Sequence, residues 1–552
     1  MKPILVIFAA LAAVHLACPI LSAQASAASG NPGPFKEHEF RAHLKFLASD
    51  LCEGRAPGTR GGNLAALYIA SQFEAAGLRP ISEKSGYFQP VPMQGNLTDQ
   101  DTVTVTFSAK GKTVTMAAYD DAVFGSEAAR KHIRVEDDVL FVGYGIEAPE
   151  YGWNDYKDVD VRGKVLVMLV NDPDFKKTGF GSESLTYYGR WTYKQEIARI
   201  KGARGLILIH TNRTATYGFN VVQTSWAVER VCLEGEIRNP LSICGWISRP
   251  AMDRALALVD LDYDTLEKRA GDRAFTPFSL GLRLKTDLVQ TFRKFSSPNV
   301  IGRLPGTSLA EEAVVYMGHH DHLGVGRPIK GDAIYNGAVD NASGIAALIC
   351  LARAFTTATE RPKRTVIFLA TTGEEKGLLG SEYYAAHPVV PLDKTVIALN
   401  KDCCNFYGRR DGFGAYPIRY TDAVEVFRKL GEGLGLKLHV SGVDRGGGVF
   451  RMDSFPLCAR GVVALSIGLR GKFLTLSKEK VNEYRRKIGR WYHQPNDEIY
   501  PFWRYDGILQ ELEVLHHIGR HYAFGASPPK PGPENPYGPP IRIRNRKYTG
   551  SR

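Results

Sequence analysis

Ala313-Val-Val-Tyr-Met-Gly-His-His-Asp-His322 joins an apolar, β-branched strand to a cluster of histidines and an aspartate. Downstream, Gly337-Ala-Val-Asp-Asn-Ala-Ser-Gly344 opens directly onto an apolar run predicted as a helix to Phe355. The same texture repeats twice. Thr365-Val-Ile-Phe-Leu369 leads to Glu374-Glu375 and a helix near 380–386, and Lys394-Thr-Val-Ile-Ala-Leu399 leads to Asn400-Lys-Asp402. Alternating apolar strands and helices predict an α/β fold, a central sheet covered by helices on both faces. In open α/β sheets, sites assemble beyond the C-terminal ends of the strands. His319, Asp340, Glu374, Glu375 and Asp402 all fall there, and His493 lies in Tyr492-His-Gln-Pro-Asn-Asp497. Asp340 also opens a helix, whose positive end favours an ionised carboxylate. The set offers nitrogen and oxygen donors without a thiolate, which suits zinc or a similar divalent ion. His320 and His322 are read as structural or supporting residues.

Outward from this segment the chain divides by texture. Residues 1–27 combine Lys2, an apolar run to Ala17 and the exits Ala23-Gln-Ala25 and Ala25-Ser-Ala27, the pattern of a secretory signal peptide. Export to the periplasm or medium is therefore expected; His15 argues against lipoprotein cleavage at Cys18. Residues 35–129 carry helical spacing over 37–51 and 63–76, the second closed by Gly77, then alternating strands at 102–107 and 113–116. Residues 130–275 read as a strand-rich module with strands at 139–143, 164–170 and 205–210 and a helix over 193–201. Residues 276–526 hold the metal-ligand pattern. Residues 527–552 carry seven prolines and no apolar periodicity, and are read as a disordered tail.

With 44% hydrophobic residues, 23% charged residues and no interior apolar stretch of membrane-spanning length, bulk disorder and a multi-span membrane protein are excluded. The net charge of +12 is local. Residues 527–552 and 472–490 contribute about +5 each, and no nucleic-acid motif accompanies them. The tail is read as solvated or as a contact to an anionic envelope surface. The 472–490 segment, just before His493, is expected to rim the cleft and favour acidic peptides. Cys232 and Cys244 are candidates for a bridge in an oxidising compartment, and nothing in the sequence sets the oligomeric state.

His319-His-Asp321, Gly337 to Gly344, Thr372-Gly-Glu374-Glu375, Asn400-Lys-Asp402 and Tyr492-His493-Gln-Pro, in this order, resemble the M28 family of di-zinc exopeptidases. The resemblance covers about residues 35–525. It implies two Zn2+ or similar ions bridged by Asp340, one completed by His319 and Asp402, the other by Glu375 and His493. Glu374 would be the general base. Asp321 would be the carboxylate that orients the His319 ring, in keeping with side chains two apart in an extended segment emerging on one side. Gly143-Tyr-Gly-Ile, Tyr156 to Val170 and Ala198 to Ala203 make the 130–275 module similar to the protease-associated (PA) domain often inserted in this family.

The implied activity is hydrolysis of peptide or protein substrates from the N-terminus. A carboxypeptidase, a glutaminyl cyclase and a non-catalytic receptor on the same scaffold stay open, with Arg445, Arg451 and Arg460 as basic candidates for the first. Two stretches depart from the family pattern. Lys401 and Cys403 flank Asp402, and Phe450-Arg-Met-Asp-Ser-Phe-Pro456 stands where relatives commonly show Ser-Asp-His.

Overall fold

The structure, a computed structural model, describes residues 33–157, 159–533 and 535–536. The signal-peptide reading of residues 1–27 lies outside them. Strand Leu309–His319 pairs in parallel with Arg364–Thr371 on one side and Thr395–Asn400 on the other, and Thr395–Asn400 pairs in parallel with Ala464–Phe473. These strands are buried throughout their central residues, as expected where both faces are covered. Val314, Tyr316, Val366 and Phe368 point to one face, under helices Glu37–Leu47, Arg60–Ala75, Ser343–Thr356 and Asp506–Ala523. Val315, Met317, Ile367 and Leu369 point to the other, against Tyr384 and Leu457. The predicted helices and strands of this half therefore form, within a few residues of their expected limits.

The strand-rich module does not stand apart from this sheet. Two long antiparallel strands, Phe88–Ala109 and Phe278–Leu304, run from one half into the other. Val300 pairs with Ala370 in the half that holds the predicted ligands, and Thr286 pairs with Val135 in the module. Beyond them follow His132–Phe141, Val165–Leu169, Gly205–His210, Ile243–Ser248 and the edge strand Ala122–Gly125. The lobe has its own core, which draws in Val103 and Val105 before residue 130, Leu284 and Leu288 after 275, and Val449, Phe450 and Phe455 from the other half. It is thus a lobe with a separate core on a continuous 15-stranded sheet.

Three expectations change. The Pro-rich tail is not loose at its start: Lys530 N–H donates to Asp422 Oδ1, Gly532 N–H donates to Tyr420 O, and Pro531 bridges Thr421. Its residues from 537 onward lie outside the described ones. Cys232 and Cys244 do not bridge; the first lies against Gln94 O and the second takes a contact from Arg230. Lys401 does not approach the metal-ligand cluster but turns inward. Its ammonium sits 3.1 Å from Glu511 of the last helix and donates to the Cys403 and Ile467 carbonyls. Glu511 also accepts the N–H groups of Asn405 and Leu469. Removing one partner of a buried, hydrogen-bonded ion pair costs about 3–5 kcal/mol. Lys401→Ala is therefore expected to lower the unfolding free energy by that amount in chemical denaturation. A loss below about 1 kcal/mol, the value of an exposed pair, would remove the pair from the account of this half's stability.

Candidate metal centre

Loops after three parallel strands, the Asp340 loop that opens helix Ser343–Thr356, and the segment 491–497 bring the predicted residues together. Asp340 lies at the centre, 5% exposed. Its Oδ1 is 3.3 Å from His319 Nε2 and its Oδ2 is 3.6 Å from His493 Nε2. Asp402 Oδ1 stands 3.6 Å from the same His319 nitrogen, and Glu375 Oε2 stands 2.9 Å from His493 Nε2. Each half of one carboxylate thus faces a different histidine, and each histidine faces a second carboxylate. Glu374 joins His319 and Glu375 in a further group of approaching donor atoms. His322, with Nδ1 2.7 Å from Glu375 Oε1, stands behind that carboxylate and within reach of Asp340.

The donor set fits a divalent metal. Nε2 of His319, His322 and His493 is buried and makes no hydrogen bond, and those of His319 and His493 converge on acids without hydrogen-bond geometry. Burial opposes charge on His319 and His493, yet the surrounding carboxylates outweigh it. They hold His319 well above the usual histidine range and His493 at about 9. Protons on the rings therefore offset the acids in the metal-free chain, and a cation must displace them to bind. Burial, assisted by Glu375, Asp453 and Asp402, pushes Glu374 well above the usual carboxylate range, against the pull of His319.

The loops are held from behind. Arg55, fully buried, donates to the carbonyls of His320 (2.8 Å), Leu47 (2.6 Å), Asn336 (2.6 Å) and Gly337 (2.9 Å), which ties the histidine loop to the Asp340 loop. Asp497 accepts the N–H groups of Val339 and Asp340 at 2.9 and 3.0 Å. Asn341 donates to Lys401 O and accepts from Cys403 N–H, fixing the Asp402 turn beside it. Asp321 differs from its expected role. His319 Nδ1 meets the backbone carbonyl of Asp321 at 3.1 Å, while the carboxylate is 3.9 Å from that nitrogen. The Asp321 carboxylate accepts instead from Glu374 N–H (3.1 Å) and Glu375 N–H (3.4 Å), so it sets the direction of both glutamates.

Sequence reading did not find the partner of His493. Ser225 Oγ, on helix Phe219–Trp226 of the lobe, lies 2.6 Å from His493 Nδ1, and Thr224 Oγ1 receives Gln494 Nε2 at 3.3 Å. The lobe therefore orients a residue of the cluster. Partners of this kind fix the tautomer of a ligating histidine, and their loss typically weakens metal binding about 10–100-fold. Ser225→Ala is expected to weaken metal binding by that factor in competition with a chelating dye; unchanged affinity would remove Ser225 from the site.

A cleft between the two halves exposes Glu374, Glu375 and His493 to the Tyr492, Trp191 and Trp226 side chains. Of the three arginines singled out from sequence, Arg445 pairs with Glu183 and Arg460 with Glu382, whereas Arg451 lines the cleft. The basic 472–490 segment does not line it. Helix Lys478–Ile488 carries its charges on an exposed surface, where Lys480 and Lys487 both pair with Glu483.

A large mixed sheet with helices on both faces is a fold that this chain shares with a solved aminopeptidase. The aminopeptidase from Aneurinibacillus sp. strain AM-1 superposes with a TM-score of 0.53 at 17% identity, over 90% of this chain and 94% of that one. Residues 299–505 match the model of Peptidase family M28. Among curated relatives, a "Probable zinc metalloprotease" of Pyricularia oryzae is 41% identical over 87 residues, 16% of this chain and 17% of that protein. "Aminopeptidase NAALADL1" of Rattus norvegicus is 30% identical over 134 residues, 23% of this chain and 16% of that protein. The chain spans about a sixth of the length of these relatives.

Proposed function

We propose that this chain is a metallo-aminopeptidase that holds two divalent ions, zinc for preference, and removes N-terminal residues from peptides. The observation that carries the reading is the placement of Asp340, whose two carboxylate oxygens face His319 and His493 separately. Asp402 with His319, and Glu375 with His493, would complete the two positions. Bound there, the metal supplies Lewis-acid polarisation of a carbonyl and lowers the pKa of a water toward neutrality.

The remaining work falls to the chain. Glu374, held by its N–H on Asp321, takes the proton from the attacking water and returns it to the departing amine. Burial favours its protonated form, which suits a group that must hold a proton between the two transfers. Ser225, His322 and Asp321 keep His493, Glu375 and the glutamate turn in place. The cleft between the halves receives the peptide. The complete donor set favours a catalyst over a receptor that merely shares the scaffold. We also read the lobe as PA-like, and the chain as exported by its N-terminal segment.

The test is a matched set of peptides with free and acetylated N-termini, each with and without chelator. Cleavage of the free-amine members only, abolished by chelator, is expected. Equal cleavage of the acetylated members would remove the aminopeptidase assignment.

A further inference from the structure

One wall of the cleft brings together two guanidinium groups that the proposed chemistry leaves unused. Arg190 comes from the lobe, at the head of helix Trp191–Ile200, and Arg451 ends the short turn Gly448–Arg451 of the other half. Arg190 is only 8% exposed, and its Nε is buried without a hydrogen-bond partner. Arg451 is anchored through Nη2 to Ala215 O and Thr216 Oγ1, and lies over the Tyr217 ring at 5.5 Å. Its Nε, too, is buried and unpartnered.

Several acids lining the cleft are engaged elsewhere, Glu196 by the Tyr187 hydroxyl at 2.8 Å. Glu127 pairs with Arg199 at 2.8 Å and Glu229 with Arg293 at 2.6 Å, and neither Arg190 nor Arg451 forms an ion pair among the described residues. Burial and the neighbouring Arg451 lower Arg190 only to about 10, so it stays cationic at neutral pH. Arg190 is a buried charge without an ionic partner, which is unfavourable, and the half-buried cation of Arg451 beside it adds to that cost. The arrangement becomes sound once an anion lies between them. A planar guanidinium fork matches a carboxylate through paired, charge-assisted hydrogen bonds.

We propose that Arg190 and Arg451 form a carboxylate subsite that grips an acidic group of a short peptide lying across Glu374. This rests on the peptidase reading above and names its substrate class: peptides with a carboxylate close to the bond that is cut. The carboxylate is either the C-terminus of a very short peptide or an aspartate or glutamate side chain.

Two substrate pairs separate these sources: Ala-Ala against Ala-Ala-amide, and Ala-Asp-amide against Ala-Asn-amide. The wild-type chain is expected to favour the acidic member of at least one pair by about 10–100-fold in kcat/KM, chiefly through KM. Arg190→Met should erase that preference and Arg190→Lys should keep part of it. Arg451→Gln gives an independent check should the first variant fold poorly. The melting temperature of Arg190→Met should not fall, because an unpaired buried charge has been removed. An arginine needed only for structure would give the reverse, a lower melting temperature with the preference intact. Equal use of acid and amide by the wild type, or an unchanged ratio in Arg190→Met, would overturn the subsite.

Should no peptide be cut, the subsite is still read by quenching of the fluorescence of Trp191 and Trp226 in the metal-loaded chain. Saturable binding of N-acetyl-Ala-Ala but not of its amide, lost in Arg190→Met, upholds the subsite while the hydrolytic reading fails. No difference between acid and amide here, together with none between N-acetyl-Ala-Asp-amide and N-acetyl-Ala-Asn-amide, overturns it.

Discussion

Glu374→Gln is expected to bind metal like the wild-type chain and to lose about 10²–10⁴-fold in turnover. The change keeps size and shape, so the backbone N–H of residue 374 stays on Asp321 Oδ1 and the neighbouring Glu375 keeps its place at His493. What disappears is a carboxylate able to take and return a proton. Half-buried at the cleft and flanked by Glu375, Asp453 and Asp402, it is held toward its protonated form by burial and these acids, while His319 opposes them. Metal content by atomic emission and steady-state rates on one free-amine peptide decide the matter. A variant with full metal and near-wild-type turnover would take the general-base role away from Glu374.

Asp340→Asn should have the larger effect on the metal itself. A ligand at the edge of the cluster serves one position, whereas Asp340 faces both, through Oδ1 to His319 and Oδ2 to His493. The amide offers one weaker oxygen donor and an NH₂ that repels a cation. Binding at both positions should therefore weaken by more than about 100-fold, beyond what loss of a supporting partner produces. Asp402→Asn, which stands only beside His319, should strip one position and spare the other. Equilibrium titration with zinc separates the two patterns. Wild-type stoichiometry and affinity in Asp340→Asn would contradict a bridging carboxylate.

The half with the histidine–carboxylate cluster was readable because its signals are local. Uninterrupted β-branched runs such as Thr365 to Leu369 reported buried parallel strands, and each ran directly into an acid or histidine at the sheet edge. His319, Asp340, Glu374, Glu375, Asp402 and His493 all meet there. Features closed by distant parts of the chain were not readable. Ser225 and His493 are 268 positions apart, and a serine on a short helix carries no pattern that announces a histidine partner. Arg55 lies in a Gly-rich turn that reads as a loop, yet its four carbonyl acceptors come from two loops and a helix end. The lobe reads as a separate module because periodicity cannot show that Phe88–Ala109 and Phe278–Leu304 pair along most of their length.

Direction was the other blind spot. Extended spacing placed Asp321 near the His319 ring, but the carbonyl of the same residue reached it first and left the carboxylate to the glutamate turn. Lys401 adjoins Asp402 in sequence and points away from it in space. Charge counts likewise drew attention to the exposed 472–490 helix. The two arginines that line the cleft, Arg190 and Arg451, come from opposite halves and add little to any local total.

The central claim is a paired metal site that the chain uses for peptide hydrolysis. Its most direct test is a stepwise chelator titration in which bound metal per chain and the rate on a free-amine peptide are measured on the same samples. Two divalent ions per chain at full activity, a rate that falls as they are withdrawn and recovers with added zinc, is the result predicted. Full activity with one ion or none would contradict it.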